Sequence, residues 1–266
     1  MSTKVLLLIF LRFLGEGVNV EMSDPAVDIY DLSHPVSWKD LVNIYEEINT
    51  THKQWQICFN CGFPEMGTSI HYQYYGWNAL KPAVIPIHNL LTRLRVIDLS
   101  SITKSHPNLV LTLHEARRFL TVEQGPFRPT ILLFKFGWPD HPLYGLNYKC
   151  YCQMPGISFD LAAWIAVNLS HVVGVATDAP SLESEETRNS TGKTVSALFG
   201  KSGVYMIENV DARRKIPEKG CMAFVTPTKL IDGNFVPARF TAFCPRRHAD
   251  RVEIIMAPRR VGPNVA

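Results

Sequence analysis

The chain has no dense block of lysine or arginine. Its 27 basic and 24 acidic residues are spread along 266 positions. The net charge of +3 gives no one-sided field that tracks a phosphate backbone, so nucleic acid is excluded as an expected partner. Nor is there an apolar run of the roughly 20 residues that a membrane-crossing helix needs, so no span is expected. Internal repeats and low-complexity linkers are missing too. What is present is core material: 46% of the residues are hydrophobic, enough to bury a sizeable interior, and disorder is not the expectation.

At the N-terminus, Lys4 precedes an apolar stretch from Val5 to Leu11, which is broken by Arg12 and closed by Gly15, Gly17 and Asn19. That order predicts a secretory signal peptide over residues 1–20, too short to span a bilayer. The competing reading is the apolar first strand of a cytosolic protein. Three N-x-S/T sequons, at Asn49, Asn168 and Asn189, fit passage through the secretory pathway as glycosylation sites. The six cysteines, Cys58, Cys61, Cys150, Cys152, Cys221 and Cys244, form an even set able to pair in an oxidising compartment, with connectivity open. Cys58 and Cys61 have the spacing of a metal or redox pair. Cys150 and Cys152 do not supply the second pair of a zinc site, so structural disulfides or buried thiols are favoured. A secreted, extracellular protein is expected.

Alternating residues from Val27 to Leu32 predict a strand running into the turn Ser33-His34-Pro35. Helical spacing predicts a short helix over 38–48 and another over 113–120. Strands are predicted at 95–99, 130–136, 171–177, 204–207, 222–226 and 238–243. The strand at 130–136 is bounded by Pro129 and Gly137, and that at 171–177 delivers Asp178 at its end. Ser158 is placed to cap a helix through Ile165. The polar stretch from Ser181 to Lys193 reads as an exposed loop. Strands outnumber helices, and several strand-helix-strand steps give a mixed α/β class with one core.

Segments in order over most of the chain carry a resemblance. They are Asp31-Leu-Ser-His34, Ile85-Pro-Ile, Val96-Ile-Asp-Leu99, Leu132-Leu-Phe-Lys-Phe-Gly-Trp138, Pro155-Gly-Ile-Ser158, Val173-Gly-Val-Ala-Thr-Asp-Ala-Pro-Ser181, Ile207-Glu-Asn209, Pro227-Thr-Lys-Leu and Pro237-Ala-Arg239. Together they resemble the cyclase (kynurenine formamidase-like) family. The resemblance implies a swivelling β/β/α fold as a single domain over residues 27–245, a C-terminal tail over 246–266, and a homo-oligomer. It also implies an ancestral activity, in which a divalent metal activates water to cleave an amide such as N-formylkynurenine in tryptophan catabolism. The family holds that metal with a segment of the form H-x-G-T-H-x-D-x-P-x-H, a later His and a later Glu.

The matching stretch here runs from Glu65 to Tyr75. Gly67 and Thr68 persist as the turn, but Glu65 stands in place of the first His, Ser69 of the second, His71 of the Asp and Tyr75 of the last His. No His occurs between His171 and His248, and only Glu208 remains of the distal pair. Hydroxyls ionise too reluctantly to replace imidazole, and a catalytic zinc wants about three good protein ligands. No catalytic residue and no metal are therefore expected, and Glu65, Ser69, His71, Tyr75 and Glu208 are assigned to a vestigial pocket. The alternative keeps Glu65, His71 and Glu208 as ligands of a rearranged Zn or Mn site.

Tyr72, Tyr74, Tyr75 and Trp77 could line a pocket for a small aromatic ligand, or simply fill volume left by the histidines. Asp31, Ser33 and His34 read as a strand end rather than parts of a triad, and Asp178 and Ser181 as residues that hold a loop. The function expected is that of a catalytically silent ligand- or partner-binding protein. A working amide hydrolase with an altered site is the alternative.

Overall fold

Alternation of apolar side chains makes most of the strands here, because successive residues of a strand point to opposite faces. The computed structural model describes residues 27–35, 67–72, 80–120, 128–140, 154–184, 186–187, 194–231 and 233–246. Its strands are β1 (Val27–Asp31), β2 (Ser69–His71), β3 (Leu91–Asp98), β4 (Val110–Leu111), β5 (Thr130–Lys135), β6 (Gly156–Ile157), β7 (Val172–Thr177), β8 (Tyr205–Glu208), β9 (Cys221–Pro227) and β10 (Phe235–Pro245). Its α-helices are α1 (Ser100–Ser105), α2 (Leu113–Ala116), α3 (Phe159–Asn168) and α4 (Val195–Lys201).

Strands β3, β5, β7 and β8 run parallel. Antiparallel β2 lies beside β8, and antiparallel β9 beside β3. The long β10 closes the sheet: Phe235–Pro237 pair with β2 and Ala238–Phe243 pair with β9. The result is a seven-stranded barrel, with β1 laid along the far end of β10 so that Val27 faces Pro245. Strands β4 and β6 form a small parallel ribbon.

The two faces of this sheet bury different sets of residues. Ile131 and Leu133 of β5 point inward, with Ile207, Val225 and Phe240. Leu132 and Phe134, one residue out of phase, pack outward with Leu161, Ile165 and Phe199 of α3 and α4. Each such side chain contributes about 1.5–3 kcal/mol on full burial. Inside the barrel the Tyr205 ring packs against Gly174, where an added Cβ would stand 2.3 Å from Cε2. Only glycine permits that approach. Helix α3 begins where expected, with the Leu161 amide donating to Ser158 Oγ at 3.4 Å.

Several sequence expectations are revised. Strand β3 begins at Leu91 rather than 95, and the helix at 113–120 contracts to Leu113–Ala116. Strand β10 starts at Phe235 and passes through Pro237. Proline is tolerated there because β10 changes partner at that point, from β2 to β9. The stretch from Ser181 is not an exposed loop throughout, since Ser181–Ser184 are buried. They run across β6, where the Ile157 amide donates to the Leu182 carbonyl and an added Cβ on Gly156 would stand 2.6 Å from the Ser184 nitrogen.

Of the cysteines, Cys221 and Cys244 form a disulfide across β9 and β10. Cys58, Cys61, Cys150 and Cys152 lie outside the described residues, as do the segments predicted as a signal peptide over 1–20 and a helix over 38–48, and the chain beyond 246. Among the described residues no helix is long and apolar enough to cross a membrane.

Candidate functional site

Pairing of β2 with β8 brings three of the predicted pocket residues together. Ser69 stands directly opposite Glu208, and His71, two residues on, shares its face of the strand. The His71 Nε2 atom lies 3.1 Å from Glu208 Oε2, and both side chains are almost wholly buried. This is an ion-pair distance rather than an aligned hydrogen bond. Phe235 of β10, in register with His71, stacks on the imidazole with centroids 4.1 Å apart and planes 20° off parallel. The other Glu208 oxygen, Oε1, accepts the Leu182 amide at 3.1 Å. Glu65 and Tyr75 lie outside the described residues.

The surviving Gly67-Thr68 turn is pinned to the end of β8. Gly67 has φ of 73°, and Asn209 has φ of 58°, a left-handed conformation that asparagine tolerates better than most residues. Asn209 Nδ2 donates to the Gly67 carbonyl at 2.8 Å, and Thr68 Oγ1 donates to the Asn209 carbonyl at 2.7 Å. The His34 amide in turn donates to Thr68 Oγ1. These contacts set where β2 starts, and so where Ser69 and His71 stand. Asn209 was not singled out as a site residue from the sequence, although it closes the Ile207-Glu-Asn209 motif.

Two further carboxylates hold backbone at this end of the barrel. Asp178, following β7, accepts the amides of Phe136, Gly137 and Trp138 at 2.7, 2.8 and 3.1 Å. Burial pushes its carboxyl up to about 6, against the opposing pull of those three N–H groups. Glu183 accepts the first amides of α4, from Val195 at 3.1 Å and Ser196 at 2.8 Å. Ser181 Oγ accepts the Glu183 amide.

Of the two readings of Tyr72, its position agrees with the one in which it fills interior volume. It turns into the barrel core, with its ring edge-on to Tyr205 at 6.4 Å. Burial raises the pKa of both phenols, and Tyr205 donates its hydroxyl proton to the Asn89 carbonyl at 2.6 Å. Tyr74 and Trp77 lie outside the described residues.

The Cyclase family model matches residues 30–184, more than half of the chain. The chain belongs to the Cyclase family. Solved structures with the same fold include isatin hydrolase A from Labrenzia aggregata bound to benzyl benzoate, with a TM-score of 0.62 at 16% identity over 83% of this chain and 94% of that one. An isatin hydrolase bound to the product analogue thioisatinate matches with a TM-score of 0.57 at 16% identity, over 67% of this chain and 71% of that one. A protein described as a potential metal-dependent hydrolase with cyclase activity matches with a TM-score of 0.54 at 19% identity, over 82% and 98%. No curated protein matches the chain. The mixed α/β barrel is therefore a Cyclase-family, hydrolase-like fold.

The family implies a divalent metal, and the described donor set does not fit one. Among the described residues no three His, Cys, Asp or Glu side chains gather where they could hold an ion. Ser69 offers only a neutral hydroxyl opposite Glu208. Both Glu208 oxygens already face protein groups, the Leu182 amide and His71.

Proposed function

We propose that this chain is a secreted Cyclase-family protein that has lost metal-dependent amide hydrolysis and binds a small aromatic ligand or a protein partner through the old active-site face, as a homo-oligomer. The observation that carries the reading is the double engagement of Glu208. Its Oε1 anchors Leu182 and its Oε2 meets His71, so the retained family carboxylate serves the fold. A metal would have to displace both contacts in a buried setting, where a polar group left without its partner is costly. Secretion draws support from the signal pattern at residues 1–20 and from the Cys221–Cys244 disulfide, a bond that persists in oxidising compartments.

A second reading is favoured by the fold's likeness to isatin hydrolase and metal-dependent hydrolase structures. Glu65 would join His71 and Glu208 around Zn or Mn, and the substrate would be a small aromatic amide. Metal analysis of the secreted chain before and after chelator dialysis separates the two, with His71→Ala alongside. The silent reading expects folded, metal-free protein in both. About one metal ion per chain that survives dialysis and vanishes in the variant overturns it.

A further inference from the structure

We propose that Asn168 carries an N-linked glycan, an inference that rests on the secretory reading above. The sequon Asn168-Leu169-Ser170 falls where helix α3 stops. Asn168 is the last helical residue, and Leu169 leaves the helix at φ −113°, ψ 64°. Asn168 and Ser170 are exposed, while Leu169 between them is buried and anchors the turn. The acceptor amide and the hydroxyl two residues on thus both stand in solvent on a fixed turn, the placement such a sequon needs.

The Asn168 amide is held in place by a local bond, with Nδ2 donating to the Trp164 carbonyl at 3.0 Å. Glycosylation is compatible with that bond. The amide nitrogen bonds to the anomeric carbon of a lipid-pyrophosphate-linked oligosaccharide, and the carbon–oxygen bond to the pyrophosphate breaks. The pyrophosphate leaves with the electron pair, and the nitrogen loses one of its two protons. One N–H remains on the nitrogen to meet the Trp164 carbonyl.

Beside the acceptor, Val167 is 79% exposed. A glycan on Asn168 covers this apolar side chain and keeps the C-terminal end of α3 out of any contact between copies of the chain. Where copies associate, they do so through another face.

The test is expression of the full chain in a secreting eukaryotic host. Peptide-N-glycosidase treatment in heavy-oxygen water then labels each asparagine that had carried a glycan. The expected result is a label at position 168 in the wild type and its loss in both Asn168→Gln and Ser170→Ala. The second variant leaves the Asn168 amide and its bond to Trp164 intact, so a folding defect cannot imitate the loss. Secreted chain with an unlabelled Asn168 overturns the proposal. A parallel preparation carries an unrelated secretory leader. Label at Asn168 there, with the native chain retained in the cytosol, upholds the site and overturns the secretory reading alone; no label there overturns the site.

Discussion

His71 and Glu208 meet diagonally across β2 and β8, Nε2 to Oε2 at 3.1 Å, with the Phe235 ring stacked on the imidazole. Diagonal neighbours of this kind couple energetically, as cross-strand pairs do in sheets generally. Here the coupling is buried, so it is little screened by salt.

Glu208→Gln places an amide group between the Leu182 N–H and His71. Whichever way the amide turns, one former acceptor position becomes a donor, and the expected cost is about 1–3 kcal/mol in urea denaturation. A double-mutant cycle with His71→Ala should return a coupling of about 0.5–3 kcal/mol. Additive effects would mean that the two side chains do not interact.

Asp178 gives a pH signature. Its folded-state pKa of about 6 lies above the ordinary 3.8, so between those values the folded state holds the proton more firmly than the unfolded chain. The associated stability is fully present below pH 3.8 and is lost as pH rises through 6. The total is on the order of 3 kcal/mol at about 1.4 kcal/mol per pKa unit. Asp178→Asn should remove this slope. Below pH 3.8, where both side chains are neutral, the variant should be less stable by roughly 1–3 kcal/mol, because its amide has one oxygen to meet the three N–H groups, and this gap should close as the pH rises through 6. Equal slopes in the two proteins would contradict the assignment.

Gly174→Ala pushes a methyl group into the Tyr205 ring. Overpacking of this kind costs about 1–3 kcal/mol, readable as a lowered thermal midpoint. Tyr205→Phe keeps the ring and loses only the hydrogen bond to Asn89, for about 1 kcal/mol.

Removing the disulfide by Cys221→Ala with Cys244→Ala opens a loop with a sequence separation of 23 residues. The chain-entropy model puts the loss at about 3 kcal/mol. Reduction of the wild type under native conditions should lower its midpoint comparably, and an unchanged midpoint would show that the bond constrains nothing.

Local features carried well from sequence to structure. The apolar run at 130–136 became β5 between Pro129 and Gly137, Ser158 capped α3, and Asp178 arrived at the end of β7. Each of these is decided by neighbours a few residues away. The contacts that define the site are long-range. Phe235 reaches His71 only because β10 pairs with β2 in one particular register, which the composition of neither segment reveals. The burial of Ser181–Ser184 was hidden for a related reason. Their polar composition argues for solvent, yet the Leu182 amide finds Glu208, and the Glu183 carboxylate finds the amides of α4.

Strand β10 is the last strand of the described chain and the partner of the first. Until it emerges during synthesis, β1, β2 and β9 have no common neighbour, and the ring from β2 round to β9 stays open with two bare edges. Such late, distant pairing slows folding and exposes sticky edges meanwhile. A product stopped before residue 235 should therefore accumulate as aggregate rather than as a smaller soluble domain.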